Sequence, residues 1–261
     1  MTIFSKEMRQ GRNSLIIWTV FLSVMLGLCI VAFPQMKEQM ATVSDSFAQM
    51  GAFSEAMGME QMNFGNFQDY FAVELGYILG LIGAIYAGIL GIKLLAGEEG
   101  GHTAEFLLTH PITRKRVVGE KLGALVIQVV ILNVIVCAIC FGLFAAIDED
   151  VDNKNMIMLF ASNALMHLEI AGIAFGVSAF LRRNNYGVGI GIGAIAYFLN
   201  IFANLLEDYE WLKYITPMGY TDSAPILHDG TLETGYIGSG MVILLVFVVI
   251  GLIKYSKKEI H

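Results

Sequence analysis

Long runs of apolar residues alternate with shorter polar segments along the whole chain. Six runs are close to twenty residues or longer, and they cover residues 15–33, 71–92, 123–147, 157–181, 187–206 and 235–255. A helix of about twenty apolar residues is long enough to cross ~30 Å of hydrocarbon. The runs are continuous, so they lack the alternation of membrane β-barrel strands. The pattern predicts an all-α polytopic membrane protein with six transmembrane helices in a single domain, residues 1–261.

Composition agrees with this class. The 261 residues are 56% hydrophobic and 15% charged, and the mean hydropathy is +0.65. A soluble domain carries about 25% charged residues. The three cysteines, Cys29, Cys137 and Cys140, all lie inside apolar runs. We therefore expect them to pack as small apolar side chains, with no disulfide, metal or redox role.

Lysine and arginine are distributed unevenly between the two sides that six spans create. With the N-terminus inside, thirteen of the sixteen fall in inner segments. These are Lys6, Arg9, Arg12, Lys93, Arg114, Lys115, Arg116, Lys121, Arg182, Arg183, Lys254, Lys257 and Lys258. The positive-inside rule then predicts that both termini are cytoplasmic. We expect a multi-pass protein of the cell membrane, in a bacterial plasma membrane.

Two amphipathic segments flank the first span. Residues 1–13 place Ile3 and Phe4 among basic side chains, which predicts an interfacial helix at the cytosolic surface, with a solvated tail as the alternative. The first apolar run ends at Pro34, and residues 34–70 are predicted to form an extracellular loop. This loop carries six methionines, so we expect one or two short helices on the outer mouth, acting as a lid or in substrate exit.

Small residues recur in the second and fifth spans. The second span has Gly76, Gly80, Ala84 and Gly88 at intervals of four, and residues 187–193 read GVGIGIG. Small residues at this spacing let helix backbones approach closely in lipid. Close packing is the expected role, and an oligomer interface or a moving contact is the alternative.

Catalytic motifs are absent from the sequence. It contains no Gly-x-x-x-x-Gly-Lys-Ser/Thr, His-Glu-x-x-His or Gly-x-Ser-x-Gly pattern, so we expect no enzyme activity, cofactor or metal. Glu169 is the one acidic residue well inside a span, and burial in lipid requires a polar partner in the bundle interior. The candidates are Asn133, Asn163, His167, Asn200 and Asn204. A structural contact, a substrate path through Glu169, Asn133 and Asn200, and proton coupling remain open.

Residues 98–121 form a long polar segment between the second and third spans. Gly100 and Gly101 break the preceding helix, and Thr103 can cap a short helix with Glu105 in its first turn. Phe106, Leu107 and Leu108 give that helix an apolar surface, Pro111 ends it, and Thr113 can cap the next helix. The basic residues from Arg114 to Lys121 are then expected at the lipid headgroups. The pattern predicts a docking helix for another protein.

The residues of this segment carry a family resemblance. Residues 101–114, GHTAEFLLTHPITR, followed by Lys121, resemble the Gly-Thr-x-Glu-x-Leu-Leu-x-x-Pro-Ile-Ser/Thr-Arg motif of ABC type-2 transporter permeases, with His102 inserted in the Gly-Thr pair. The resemblance implies a cytosolic coupling region at 98–121 that contacts a separate ATP-binding-cassette ATPase. It also implies a dimer with a second permease copy or paralogue. The implied contact residues are Thr103, Glu105, Phe106, Leu107, Leu108, Pro111 and Arg114.

These observations together predict the membrane permease subunit of an ATP-driven ABC exporter. The apolar spans and Met-rich loop favour a hydrophobic or amphipathic substrate, and small exporters of amphipathic peptides such as phenol-soluble modulins look similar in outline. A drug or a lipid-like cargo fits as well. The alternatives are a secondary transporter without an ATPase, which predicts several midplane polar groups and an internal repeat, and a membrane scaffold. No nucleic-acid partner is expected.

Overall fold

Six long helices dominate the computed structural model of the protein, which describes residues 3–48, 50–57, 62–100, 113–147, 149–181 and 185–257. The helices are α1 Ile3–Ala48, α2 Ala52–Ala56, α3 Phe67–Leu75, α4 Gly83–Gly100, α5 Arg114–Phe144, α6 Asn153–Ser178, α7 Tyr186–Leu205 and α8 Thr234–Lys257. Six helical segments in these ranges are long and apolar enough to cross a membrane. The described ranges contain no strand, and the all-α, six-span prediction is confirmed.

The second span is not a uniform α-helix. Helices α3 and α4 are joined by a π-helical segment, Gly76–Ile82, so that the three pieces form one continuous span. A π segment shifts the hydrogen-bonding register and is frequent at functional sites. The other five spans are α1, α5, α6, α7 and α8.

The second and fourth spans form the centre of the bundle. Helix α4 packs against α6 on one side and α7 on another, while α8 packs on α6 and α1 on α5. The most apolar windows of the second and fourth spans are 67% and 61% buried, against 22% and 11% for α7 and α8. The last two spans therefore present most of their apolar surface outward.

Two contacts between α4 and α7 explain the small residues of the sequence. A Cβ atom placed on Gly189 would lie 2.6 Å from the carbonyl oxygen of Gly88, and one placed on Gly193 would lie 3.2 Å from the carbonyl carbon of Ala84. The predicted close packing is confirmed at these positions. A Cβ atom placed on Gly76 or Gly191 would have no neighbour within 4 Å. Close helix packing therefore does not explain the small residues at these two positions.

Helix α1 is longer than the sequence pattern predicts. It runs without a break from Ile3 through Pro34 to Ala48, so the separate interfacial helix at 1–13 and the loop start at residue 34 are not observed. Proline in a helix removes one hydrogen bond, which tertiary contacts can offset. Here Lys37 forms an ion pair with Glu149 at 2.8 Å, and the Ser44 hydroxyl donates to the Met62 carbonyl at 3.3 Å. These contacts hold the helix beyond Pro34.

The first and last described residues, Ile3 and Lys257, lie at the same end of the bundle, which we call the terminal end. There the N-terminal part of α1, the end of α4, the start of α5 and the end of α8 meet. Thr113 caps α5 as predicted, because its side chain accepts a hydrogen bond from the backbone of Arg116. The other end of the bundle is called the opposite end.

At the opposite end, residues 216–223 are inserted between the spans, and we call them the inserted segment. Residues 216–220 are buried. The Thr216 hydroxyl donates to the Ala196 carbonyl of α7 at 2.8 Å, and the Ser223 hydroxyl donates to the Ala72 carbonyl of α3 at 3.2 Å. The inserted segment is thus tied to the second and fifth spans.

Candidate functional site

A buried ion pair lies at the terminal end. Lys121 of α5 has no exposed surface, and its Nζ atom lies 2.6 Å from Glu7 Oε1 of α1 and 2.6 Å from the carbonyl oxygen of Leu94 in α4. Glu7 is itself buried. We call these three groups the Lys121 cluster. Because a buried charge is tolerated only with close partners, the cluster fixes the positions of three helices.

The start of α5 makes further contacts to the N-terminal part of α1 and to the end of α8. Glu120 accepts hydrogen bonds from the Phe4 backbone at 3.1 Å and from Arg116 Nε at 2.9 Å. Arg114 Nη1 donates to the carbonyls of Tyr255 at 3.1 Å and Ser256 at 3.4 Å, at the end of α8. A cationic side chain at a helix C-terminus satisfies carbonyls that the helix leaves free.

The predicted headgroup role of this basic segment is therefore wrong for Lys121. Lys121 is buried in an ion pair, and Arg114 is half-buried against the end of α8. Lys115 and Arg116 are exposed. The sequence pattern misleads because Glu7, the charged partner of Lys121, lies more than a hundred residues away along the chain.

The coupling residues themselves lie outside the described residues. These are Thr103, Glu105, Phe106, Leu107, Leu108 and Pro111. Of the predicted contact residues only Arg114 is described. The structure shows the chain on either side of 101–112, at α4 and α5, and both flanks take part in the contacts of the terminal end.

Asn133 belongs to a polar cluster at the centre of the bundle. Its Oδ1 atom lies 3.1 Å from His167 Nδ1, and its Nδ2 donates to the Val129 carbonyl at 2.9 Å. His167 Nε2 lies 3.0 Å from the carbonyl oxygen of Leu79, within the π segment. The histidine thus joins α5, α6 and the second span, and a Cβ atom on Gly83 would overlap its ring.

Glu169 faces a different side of α6 from His167. It is fully buried, and its carboxylate packs against Gly240 of α8, where an added Cβ atom would overlap the carboxylate. Neither carboxylate oxygen has a hydrogen-bond partner among the described residues. The Tyr220 hydroxyl interacts with it electrostatically but makes no oriented hydrogen bond. The expectation that an asparagine or His167 accompanies Glu169 is wrong.

Asn200 lines a cavity near the opposite end, between the π segment, α7 and the inserted segment. Its Nδ2 donates to Asp222 Oδ1 at 3.0 Å, and Lys213 Nζ pairs with Asp222 Oδ2 at 3.2 Å. The cavity measures about 80 Å³, and Tyr77 and Asn204 also line it. Glu169, Asn133 and Asn200 are therefore not brought into one site.

An apolar groove of about 450 Å³ lies between α5 and α6. Its lining is apolar except for Asn133, whose amide is already bonded to His167 and to the helix backbone. Within the described ranges no group of three or more His, Cys, Asp and Glu side chains is placed to hold a metal ion.

Comparison with known families decides the class of the protein. The family model described as ABC-2 family transporter protein matches residues 1–260. The chain belongs to this ABC-2 family. A comparison with curated protein sequences gives no match. The resemblance to ABC type-2 permeases is thereby confirmed over the whole chain.

As an ABC-2 permease, the protein is a multi-pass membrane component of an ABC transporter and is not itself catalytic. Family membership implies an ATP-binding-cassette partner. Sequence reasoning did not single out Glu7 or Asp222, although each pairs with a lysine in this permease. The one available signal is Glu7, an acidic residue in an otherwise basic N-terminal segment.

Proposed function

We propose that this permease is the membrane subunit of an ATP-driven exporter, with both termini in the cytoplasm and ATP hydrolysis on a separate subunit. The ATPase binds at the terminal end through residues 98–121. The observation that carries this proposal is the ABC-2 match over the whole chain. It is supported by the contacts of α4 and α5, which hold both flanks of 101–112 at that end.

The placement of basic residues supports the orientation. Lys115 and Arg116 are exposed at the terminal end. Most of the other lysine and arginine residues lie in sequence segments that belong to the same side of a six-span chain. Positive charge accumulates on the cytoplasmic side of membrane proteins, so this end faces the cytoplasm.

A second copy or a paralogue completes the transport pathway. The cavity beside Asn200, at about 80 Å³, is smaller than the ~300–1,000 Å³ typical of ligand pockets. Helix α7 instead presents large exposed apolar side chains, among them Ile195, Phe198 and Phe202, and so does α8. Exposed apolar faces of this kind suit contact with lipid or with another permease chain. We infer that the pathway lies between two chains.

The substrate is hydrophobic or amphipathic, such as an amphipathic peptide, a drug or a lipid-like molecule. The groove between α5 and α6 is of ligand size and lined by apolar side chains, including Phe141, Phe160 and Ala161. A site for a strongly charged substrate would need charged groups in the spans, which are costly there. A secondary transporter is disfavoured because the chain matches a family of ABC transporter subunits.

The proposal is tested at the predicted docking helix. The double substitution Phe106→Asp and Leu107→Asp is expected to abolish co-purification of the ATPase while the permease still inserts into the membrane. The matched control is Tyr209→Asp with Trp211→Asp, two exposed aromatic residues at the opposite end, which should leave co-purification unchanged. If the ATPase still co-purifies with the Phe106→Asp and Leu107→Asp variant, the proposed docking site is wrong. An unmodified permease that binds no ATPase would favour a secondary transporter or a scaffold.

A further inference from the structure

The Lys121 cluster joins three helices around the two flanks of residues 101–112. Lys121 follows this segment along the chain, Leu94 precedes it, and Glu7 belongs to the first span. The N-terminal part of α1 is attached at a second point, because the Phe4 backbone donates to Glu120. The first span is therefore bonded to the same turns of α5 that lead out of the segment.

Burial makes this connection stiff. Lys121 has no exposed surface and Glu7 is buried, so neither charge can exchange its partner for water without a rearrangement of the helices. Separating two buried charges leaves each uncompensated, which is strongly unfavourable. Helices α1, α4 and α5 are thus constrained to move together at the terminal end.

The other ion pairs of the described residues keep more contact with solvent, and even in the pair of Lys213 with Asp222 each side chain is 19% exposed. Lys37 is half exposed in its pair with Glu149, and Arg116 is largely exposed in its pair with Glu120. Exposed pairs contribute little and break readily. Glu7 with Lys121 is the pair in which both side chains are nearly or fully withdrawn from solvent.

We propose that Glu7 and Lys121 are positioning residues that carry a displacement of residues 101–112 to the first span. This inference rests on the proposed function, in which an ATPase binds that segment. When the ATPase moves the segment, the end of α4 and the start of α5 follow because they continue it. The ion pair then forces α1 to follow α5, so that the movement reaches a span that is not adjacent to the docking segment along the chain.

The test removes the ion pair without creating a buried charge. In Glu7→Leu with Lys121→Met both charges are replaced by apolar side chains, an exchange that folded proteins often tolerate. The matched control is Lys37→Met with Glu149→Leu, which removes an ion pair at the opposite end. Each chain is reconstituted in nanodiscs with the ATP-binding-cassette ATPase that co-purifies with it.

The readout is the labelling rate of Val43→Cys, a half-buried position of α1 towards the opposite end, whose exposure changes when α1 moves. Cys29, Cys137 and Cys140 are replaced by alanine, and a maleimide is added with and without ATP and vanadate. We expect a severalfold nucleotide-dependent change in labelling rate in the unmodified and control chains. The Glu7→Leu and Lys121→Met chain should bind the ATPase equally well but lose most of this change.

Three results separate the outcomes. A double variant that responds to nucleotide like the unmodified chain overturns the inference, and so does an unmodified complex that shows no response. Failure of any ATPase to co-purify with the unmodified chain overturns the proposed function instead. If the double variant is not recovered from membranes, Glu7→Gln replaces it, because it keeps the side-chain shape and removes the charge. A full response in Glu7→Gln would equally overturn the inference.

Discussion

The contact between Gly88 and Gly189 gives the sharpest prediction for the packing of the bundle. A methyl group on Gly189 would lie 2.6 Å from the carbonyl oxygen of Gly88, 2.7 Å from its carbonyl carbon and 2.8 Å from the backbone nitrogen of Ile89. All three atoms are backbone, so no side chain can rotate away. Gly189→Ala therefore forces α4 and α7 apart.

The cost follows from overpacking and from helix propensity. Adding a methyl group to a packed interface costs about 1–3 kcal/mol, while alanine in place of glycine in a helix gains roughly 0.5–1 kcal/mol. Gly191 is the matched control, because it lies in the same helix and a Cβ there meets no atom within 4 Å. We expect Gly189→Ala to be destabilised and Gly191→Ala to be unchanged or slightly stabilised.

Thermal unfolding in detergent measures the difference. Cys140 is fully buried and Cys29 and Cys137 are half-buried, so a thiol-reactive fluorophore reports unfolding through the native cysteines. At about 2–4 °C per kcal/mol for a chain of roughly this size, Gly189→Ala should lower the transition temperature by several degrees. Equal transition temperatures for the Gly189 and Gly191 variants would refute the direct backbone contact between α4 and α7.

Two further changes probe the polar contacts. His167→Ala removes the hydrogen bonds to Asn133 Oδ1 and to the Leu79 carbonyl, so it should lower stability by about 1–3 kcal/mol. In a double-mutant cycle with Asn133→Ala, strictly additive losses would argue against their hydrogen bond. Lys37→Met removes a half-exposed ion pair with Glu149 and should cost less than about 1 kcal/mol, so a loss of several kcal/mol would contradict its surface character.

The architecture was predictable where it depends on local composition. Six apolar runs predict six spans because burial in hydrocarbon selects residue type directly. The small residues Ala84 and Gly88 predict a close contact with another helix, because small side chains let two backbones approach. They do not indicate which helix is the partner. The continuation of α1 past Pro34 was not predictable, since it depends on contacts of Lys37 and Ser44 with residues far along the chain.

The sequence indicates that Glu169 is buried, but it does not indicate which residues the buried polar side chains contact. A glutamate inside a span signals a constrained interior position, and Glu169 is indeed fully buried. Its neighbours Tyr220 and Gly240 come from the inserted segment and α8, which no spacing on α6 reveals. The predicted headgroup position of Lys121 was wrong for a related reason. A lysine at the end of an apolar run is usually exposed at the headgroups, and only its distant partner Glu7 allows burial.

The second span connects the contacts described above. Near the terminal end it supplies the Leu94 carbonyl to Lys121, and in its middle it supplies the Leu79 carbonyl to His167. It also lines the cavity beside Asn200 through Gly76 and Tyr77. Between these points it is a continuous helix, and its π segment, Gly76–Ile82, lies where the cavity and the His167 contact meet. A displacement of Leu94 along this helix therefore reaches the π segment, whose hydrogen-bond register already differs from that of an α-helix. A change of that register would alter both the cavity and the contact with α6.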